Sequence, residues 1–151
     1  DLLFSMKGRK DSILYKLQSA VVNVQGVDYI PPVMSPSDIM TVSDQEWIEF
    51  LENVSVCGYR YVILDIGDYV HGLSEIMKKC VKIYMPERQD DMSKAKMAQF
   101  EALLRISGNE GILPYIKRLN FPYFSDIGSP ADDLKQTELG KYVKSLIKEM
   151  S

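Results

Sequence analysis

Apolar positions along the chain switch between helical and strand-like spacing. Ile13, Leu14, Leu17 and Val21 recur at helical intervals behind Asp11 or Ser12 as a possible N-cap, which predicts a helix over 11–20. Val27 to Ile30 reads as a short strand closed by Pro31 and Pro32, since proline neither donates to a ladder nor continues a helix. The segment "SPSDIM" predicts a one-turn helix with proline near its first position. Ser43-Asp44-Gln45-Glu46 fits a capping box, in which the serine hydroxyl and the glutamate side chain reciprocally satisfy free backbone donors. Trp47, Phe50, Leu51 and Val54 follow at i, i+3, i+4 and i+7, and Gly58 ends the helix.

Beyond Gly58 the pattern changes. Tyr61, Val62, Ile63, Leu64 and Ile66 are apolar without alternation, the composition of a strand buried on both faces, and Asp65, Gly67 and Asp68 mark its end. "GLSEIMKKC" predicts a short helix and "VKIYM" a second apolar strand. "DDMSKAKMAQFEALLRIS" predicts a longer helix with Met97, Phe100, Leu103 and Leu104 on one side, and "PYIKRLNFPYF" a further strand ending at Pro122. "SDIGSPADD" reads as a long surface loop. Leu139, Tyr142, Val143, Leu146, Ile147 and Met150 form the stripe of a C-terminal amphipathic helix. Strands without alternation, separated by helices, predict a three-layer α/β fold: a mainly parallel sheet with helices on both faces, in one domain spanning 1–151.

Composition narrows the class. A chain of 151 residues with 46% hydrophobic and 26% charged residues has the makings of one globular core. A net charge of -3 and no block of basic residues disfavour direct nucleic-acid binding. No apolar run approaches the roughly 18 residues that span a bilayer, and the N-terminus lacks the pattern of a signal peptide, so a cytoplasmic protein is expected. Cys57 and Cys80 lie far apart without C-x-x-C spacing and are expected to be small buried hydrophobes. Asn53-Val54-Ser55 matches a glycosylation acceptor but falls in a helical pattern. Asp1 rather than a methionine opens the chain, from which we expect a piece of a longer protein.

The carboxylates after the apolar run are the candidate chemistry. In open parallel sheets ligands sit beyond the carboxyl ends of the strands, the edge that Asp65 would occupy. A hydrophobic strand ending in aspartate suits magnesium, a hard cation that takes oxygen ligands and keeps several of its waters. The competing role for Asp65 is capping the next helix or bonding loop amides. Asp68, beside the permissive Gly67, carries a similar pair of readings, a cofactor-binding carboxylate or a turn residue.

The run "YRYVILDIGDYVHGLSEIMKKCVKIYMPERQDDMSKAKMAQFEALL" resembles the second half of the MinD/ParA group of P-loop ATPases, including the type found in pilus-assembly and chromosome-partitioning proteins. There an apolar strand ending in Asp is followed by a short helix, a strand running into P-x-x-x-x-S/D, and a helix. The matching residues here are Asp65, Pro86, Asp90 and Asp91, with the helix starting near Met92. "LPYIKRLNFPYF" and "ELGKYVKSLIKEM" resemble the closing strand and last helix, so the resemblance covers about 25–149. It implies an ATP-driven, magnesium-dependent switch that forms a homodimer around nucleotide and reports to a protein partner. It makes Asp65 the acid that orients magnesium and water, sets "IGDYV" with Asp68 in the region called switch II, and makes Pro122 the nearest match to the loop beside the nucleotide base.

The phosphate loop G-x-x-x-x-G-K-[ST] of that family occurs nowhere in the chain. "MKGRKDS" has one glycine among basic residues but no earlier glycine and no strand before it. The loop is therefore expected upstream of Asp1, and the 151 residues alone are expected not to hydrolyse ATP, because backbone amides at such a loop supply most of the anion site. The alternative is a nucleotide-silent α/β module that docks a protein partner.

Other chemistries fit less well. His71 is the only histidine, and "HGLSE" is not G-x-S-x-G, so nucleophilic hydrolysis through His71 and Ser74 lacks its elbow. Lys78, Lys79, Lys82, Lys94 and Lys96 read as a solvated face, with anionic-lipid or filament contact the sharper reading. Lys141, Lys144 and Lys148 flank the C-terminal stripe, which packs on a sheet or lies on a membrane surface.

Overall fold

The computed structural model describes residues 15, 17–33, 35–67, 70–120, 124 and 136–150. They form a mixed α/β chain: β1 (Val22–Val24), β2 (Val27–Tyr29), α1 (Pro36–Ile39), α2 (Asp44–Ser55), α3 (Leu73–Lys79), β3 (Ile83–Glu87), α4 (Asp91–Ile106), a 3-10 helix (Glu110–Tyr115), β4 (Ile116–Asn120) and α5 (Glu138–Met150). Residues 17–20 are helical as well. Contacts group the chain into two units, 1–83 with 101–117, and 84–100 with 118–151.

In the first unit α2 begins as its sequence requires. The Glu46 amide donates to Ser43 Oγ at 3.3 Å and the Ser43 amide donates to Glu46 Oε2 at 2.8 Å, closing the capping box. Phe50 and Val54 on its inner face bury with Leu17 and Val42, and Val33, Ile39, Trp47, Leu51 and Cys57 pack around them. Burying an aliphatic or aromatic side chain of this size contributes about 1.5–3 kcal/mol, so this cluster is a substantial hold on the unit. The Trp47 ring meets Phe50 edge-on at 6.0 Å, while its buried indole N–H has no hydrogen-bond partner among the described residues.

Helix α3 packs on α2 and buries Ile76 and Met77. Its N-cap, Gly72, has φ +69°, and a Cβ there would lie 2.6 Å from Asp44 Oδ1. A side chain at position 72 would collide with the first residue of α2. Only glycine meets both demands.

Strands β1 and β2 form an antiparallel hairpin with Val22 opposite Tyr29, Asn23 opposite Asp28 and Val24 opposite Val27. Gln25 and Gly26 both have positive φ, 51° and 84°, as a type I′ two-residue turn requires. Residues directly opposite share a face. One face therefore carries Val22, Val24, Val27 and Tyr29, which remain 48, 52, 65 and 48% exposed. The other carries Asn23 and Asp28, whose side chains join at 2.6 Å.

β3 and β4, which lie mostly in the second unit, make a two-stranded sheet tied by Arg118 to Glu87 at 3.5 Å. Met97, Leu119 and Phe124 are buried, the Phe124 and Tyr142 rings lie 5.7 Å apart, and the Tyr142 hydroxyl donates to the Asn120 carbonyl at 3.0 Å. Asp90 caps α4: its Oδ1 accepts from the Ser93 amide at 2.8 Å and its Oδ2 from the Ser93 hydroxyl at 3.0 Å.

The expected three-layer parallel sheet is not assembled among the described residues, whose strands form two separate two-stranded sheets, one of them antiparallel. The run 61–66, expected as a buried strand, is irregular, and no backbone hydrogen bond joins 61–67 to another described residue. Tyr61, Val62 and Ile63 are 51, 46 and 83% exposed. A strand apolar on both faces needs neighbours on both edges and a layer over each face. Here β1 pairs with β2 and β3 with β4, and neither reaches this run.

Candidate functional site

Asp65 ends this uncovered apolar run. Leu64 and Ile66 beside it are half-buried, and Asp65 itself is exposed, with no hydrogen bond or ion pair to a described residue. It does not cap α3, whose N-cap is Gly72, so among the described residues the capping role weighed for it is not taken up. Asp68 and Pro122, the other two expected site residues, lie outside the described residues, as does the expected loop "SDIGSPADD".

A free, hydrated carboxylate fits magnesium in one respect. That ion is commonly held by one or two carboxylates, retained waters and phosphate oxygens rather than by a dedicated protein cage. Among the described residues no group of three or more His, Cys, Asp and Glu could hold a metal ion. A triphosphate needs, besides, converging backbone amides and a cation, and the G-x-x-x-x-G-K-[ST] loop that supplies them in P-loop proteins is not in the sequence. The N-terminus of α4, the longest of the described helices, is already occupied by the Asp90 carboxylate. The Ser93 amide, then the Ser93 hydroxyl, hold Asp90 below the usual carboxylate range. Asp90, one of the acids in the proline-led motif, thus works as a helix cap. Around it Pro86, Glu87, Arg88, Met92 and Ser93 line an open depression.

A second polar cluster escaped the sequence reading. The Tyr59 hydroxyl donates to Asp28 Oδ2 at 2.8 Å while Asn23 Nδ2 donates to Oδ1 at 2.6 Å. The Asn23 bond, followed by that from Tyr59, lowers the Asp28 pKa, and the same bond to Asp28 raises that of Tyr59. Leu17, Gln18, Val21, Val56 and Cys57 line the shallow recess beside this pair. The signal was present in "VNVQGVDY": two alternating runs around a two-residue X-Gly turn predict a hairpin, and a hairpin sets Asn23 opposite Asp28.

Both cysteines are free thiols and half-buried rather than fully buried, donating to the carbonyls of Asn53 and Ile76 at 3.3 and 3.4 Å. Burial pushes the Cys80 thiol above its usual pKa. His71 is exposed in the turn before α3. Lys78, Lys79 and Lys94 pair with Glu75, Glu52 and Asp91 at 2.6, 3.2 and 3.8 Å, as a solvated face does. On α5, Leu139, Tyr142 and Leu146 are half-buried, while Val143 and Ile147 are 39 and 54% exposed. No described helix is long and apolar enough to cross a membrane.

In comparisons with family models, curated proteins and solved structures, nothing matches this chain.

Proposed function

We propose that the chain is the acid-bearing, C-terminal part of a MinD/ParA-like ATPase that binds ATP with magnesium, dimerises and acts in positioning, partitioning or pilus-related assembly. The observation that supports this reading is the uncovered run before Asp65. Tyr61 to Leu64 have the composition of a central strand, yet no described strand pairs with them and three of the four are largely exposed. In the proposed protein that run is a central strand of a three-layer parallel sheet, and a segment outside these 151 residues supplies its neighbour and the phosphate loop. Asp65 then stands at the strand's carboxyl end, where its free carboxylate orients magnesium and a bound water. By the same resemblance Asp68 and Pro122 lie near the nucleotide. A protein partner senses the nucleotide state of the homodimer.

The test is Asp65→Ala in the longer protein. Magnesium-dependent ATP turnover is expected to fall by at least tenfold with the circular dichroism spectrum unchanged. Wild-type turnover in that variant rules out the role given to Asp65.

A second reading, a nucleotide-silent module that docks a protein partner, is favoured by a different observation: the hairpin turns an apolar face of four residues outward. The two readings separate on nucleotide binding.

A further inference from the structure

We draw no further inference here: the strongest candidate, the outward apolar face of the β1–β2 hairpin formed by Val22, Val24, Val27 and Tyr29, is an unpartnered sheet face and nothing in the structure shows what covers it.

Discussion

Replacing Gly72 by alanine tests how α3 is set against α2 in the stretch that follows Asp65. Two costs add. At φ +69° an alanine would occupy the left-handed region, a penalty of roughly 1–2 kcal/mol for a residue with a Cβ. The new carbon would also lie 2.6 Å from Asp44 Oδ1, 2.7 Å from Asp44 Cγ and 3.0 Å from Asp44 Cα. The carboxylate can rotate away, but the backbone carbon moves only with the first turn of α2, so crowding of this kind adds about 1–3 kcal/mol. The expected loss is therefore roughly 2–5 kcal/mol, a large share of the 5–15 kcal/mol that typically holds a domain. Urea unfolding followed by circular dichroism reads it as a lower midpoint with little change in slope. The same substitution in an Asp44→Ala background removes the two nearest atoms and keeps the third, so its cost should shrink toward the backbone term. A loss below about 0.5 kcal/mol would refute both the backbone conformation and the packing, since ordinary surface changes fall in that range. An unchanged cost in the Asp44→Ala background would refute the steric half.

Three further outcomes follow from the same geometry. Ser43→Ala removes the hydroxyl half of the capping box and should destabilise α2 by about 1 kcal/mol in urea titration; no change in midpoint would mean that Glu46 alone sustains the cap. Tyr59→Phe should raise the Asp28 pKa only part of the way back, because the Asn23 bond is the larger cause of its depression. Carboxyl titration by NMR reads this, and an unmoved Asp28 contradicts the pairing. The pH dependence has two arms. The depressed Asp28 contributes stability that is present above its unfolded pKa and lost as pH falls through its folded one, whereas the raised Tyr59 contributes stability present below its unfolded pKa and lost as pH rises through its folded one. Asp90→Asn should weaken the acid arm further, since Asp90 is likewise held low by the Ser93 amide, and a wild-type acid-unfolding profile for that variant would contradict the cap.

The helices were legible because their determinants are local. Ser43 and Glu46 are three residues apart and specify the start of α2 between them, and "SPSDIM" gives α1 with Pro36 at its start. Of the stripe expected on α4, Met97 and Leu104 are buried and Phe100 half-buried, but Leu103 is 55% exposed. Spacing identifies a face and not its width. Strand order was less legible because pairing is not local. The strand expected over Val27 to Ile30 forms at Val27–Tyr29, but its partner Val22–Val24 carries no strand signal, since that segment lies at the end of a helical pattern. The run 61–66 shows the opposite error. Its composition signals a buried strand, but burial needs partners, and the described residues have none to give it.

Asp65, expected at the carboxyl end of a buried strand, is exposed at the end of an irregular run, and Asp90 has a local task as a cap. A residue type at a motif position does not separate a ligand from a cap, because both use the same carboxylate oxygens.

The most direct test of the ATPase reading is calorimetric titration of ATP with magnesium into the proposed longer protein, with this 151-residue chain as the control. The account predicts binding by the longer protein and none by the chain alone, because it assigns the phosphate cradle to a segment outside the chain that would pair with residues 61–66. Absence of binding by both would contradict it and leave Asp65 as a surface residue of a docking module.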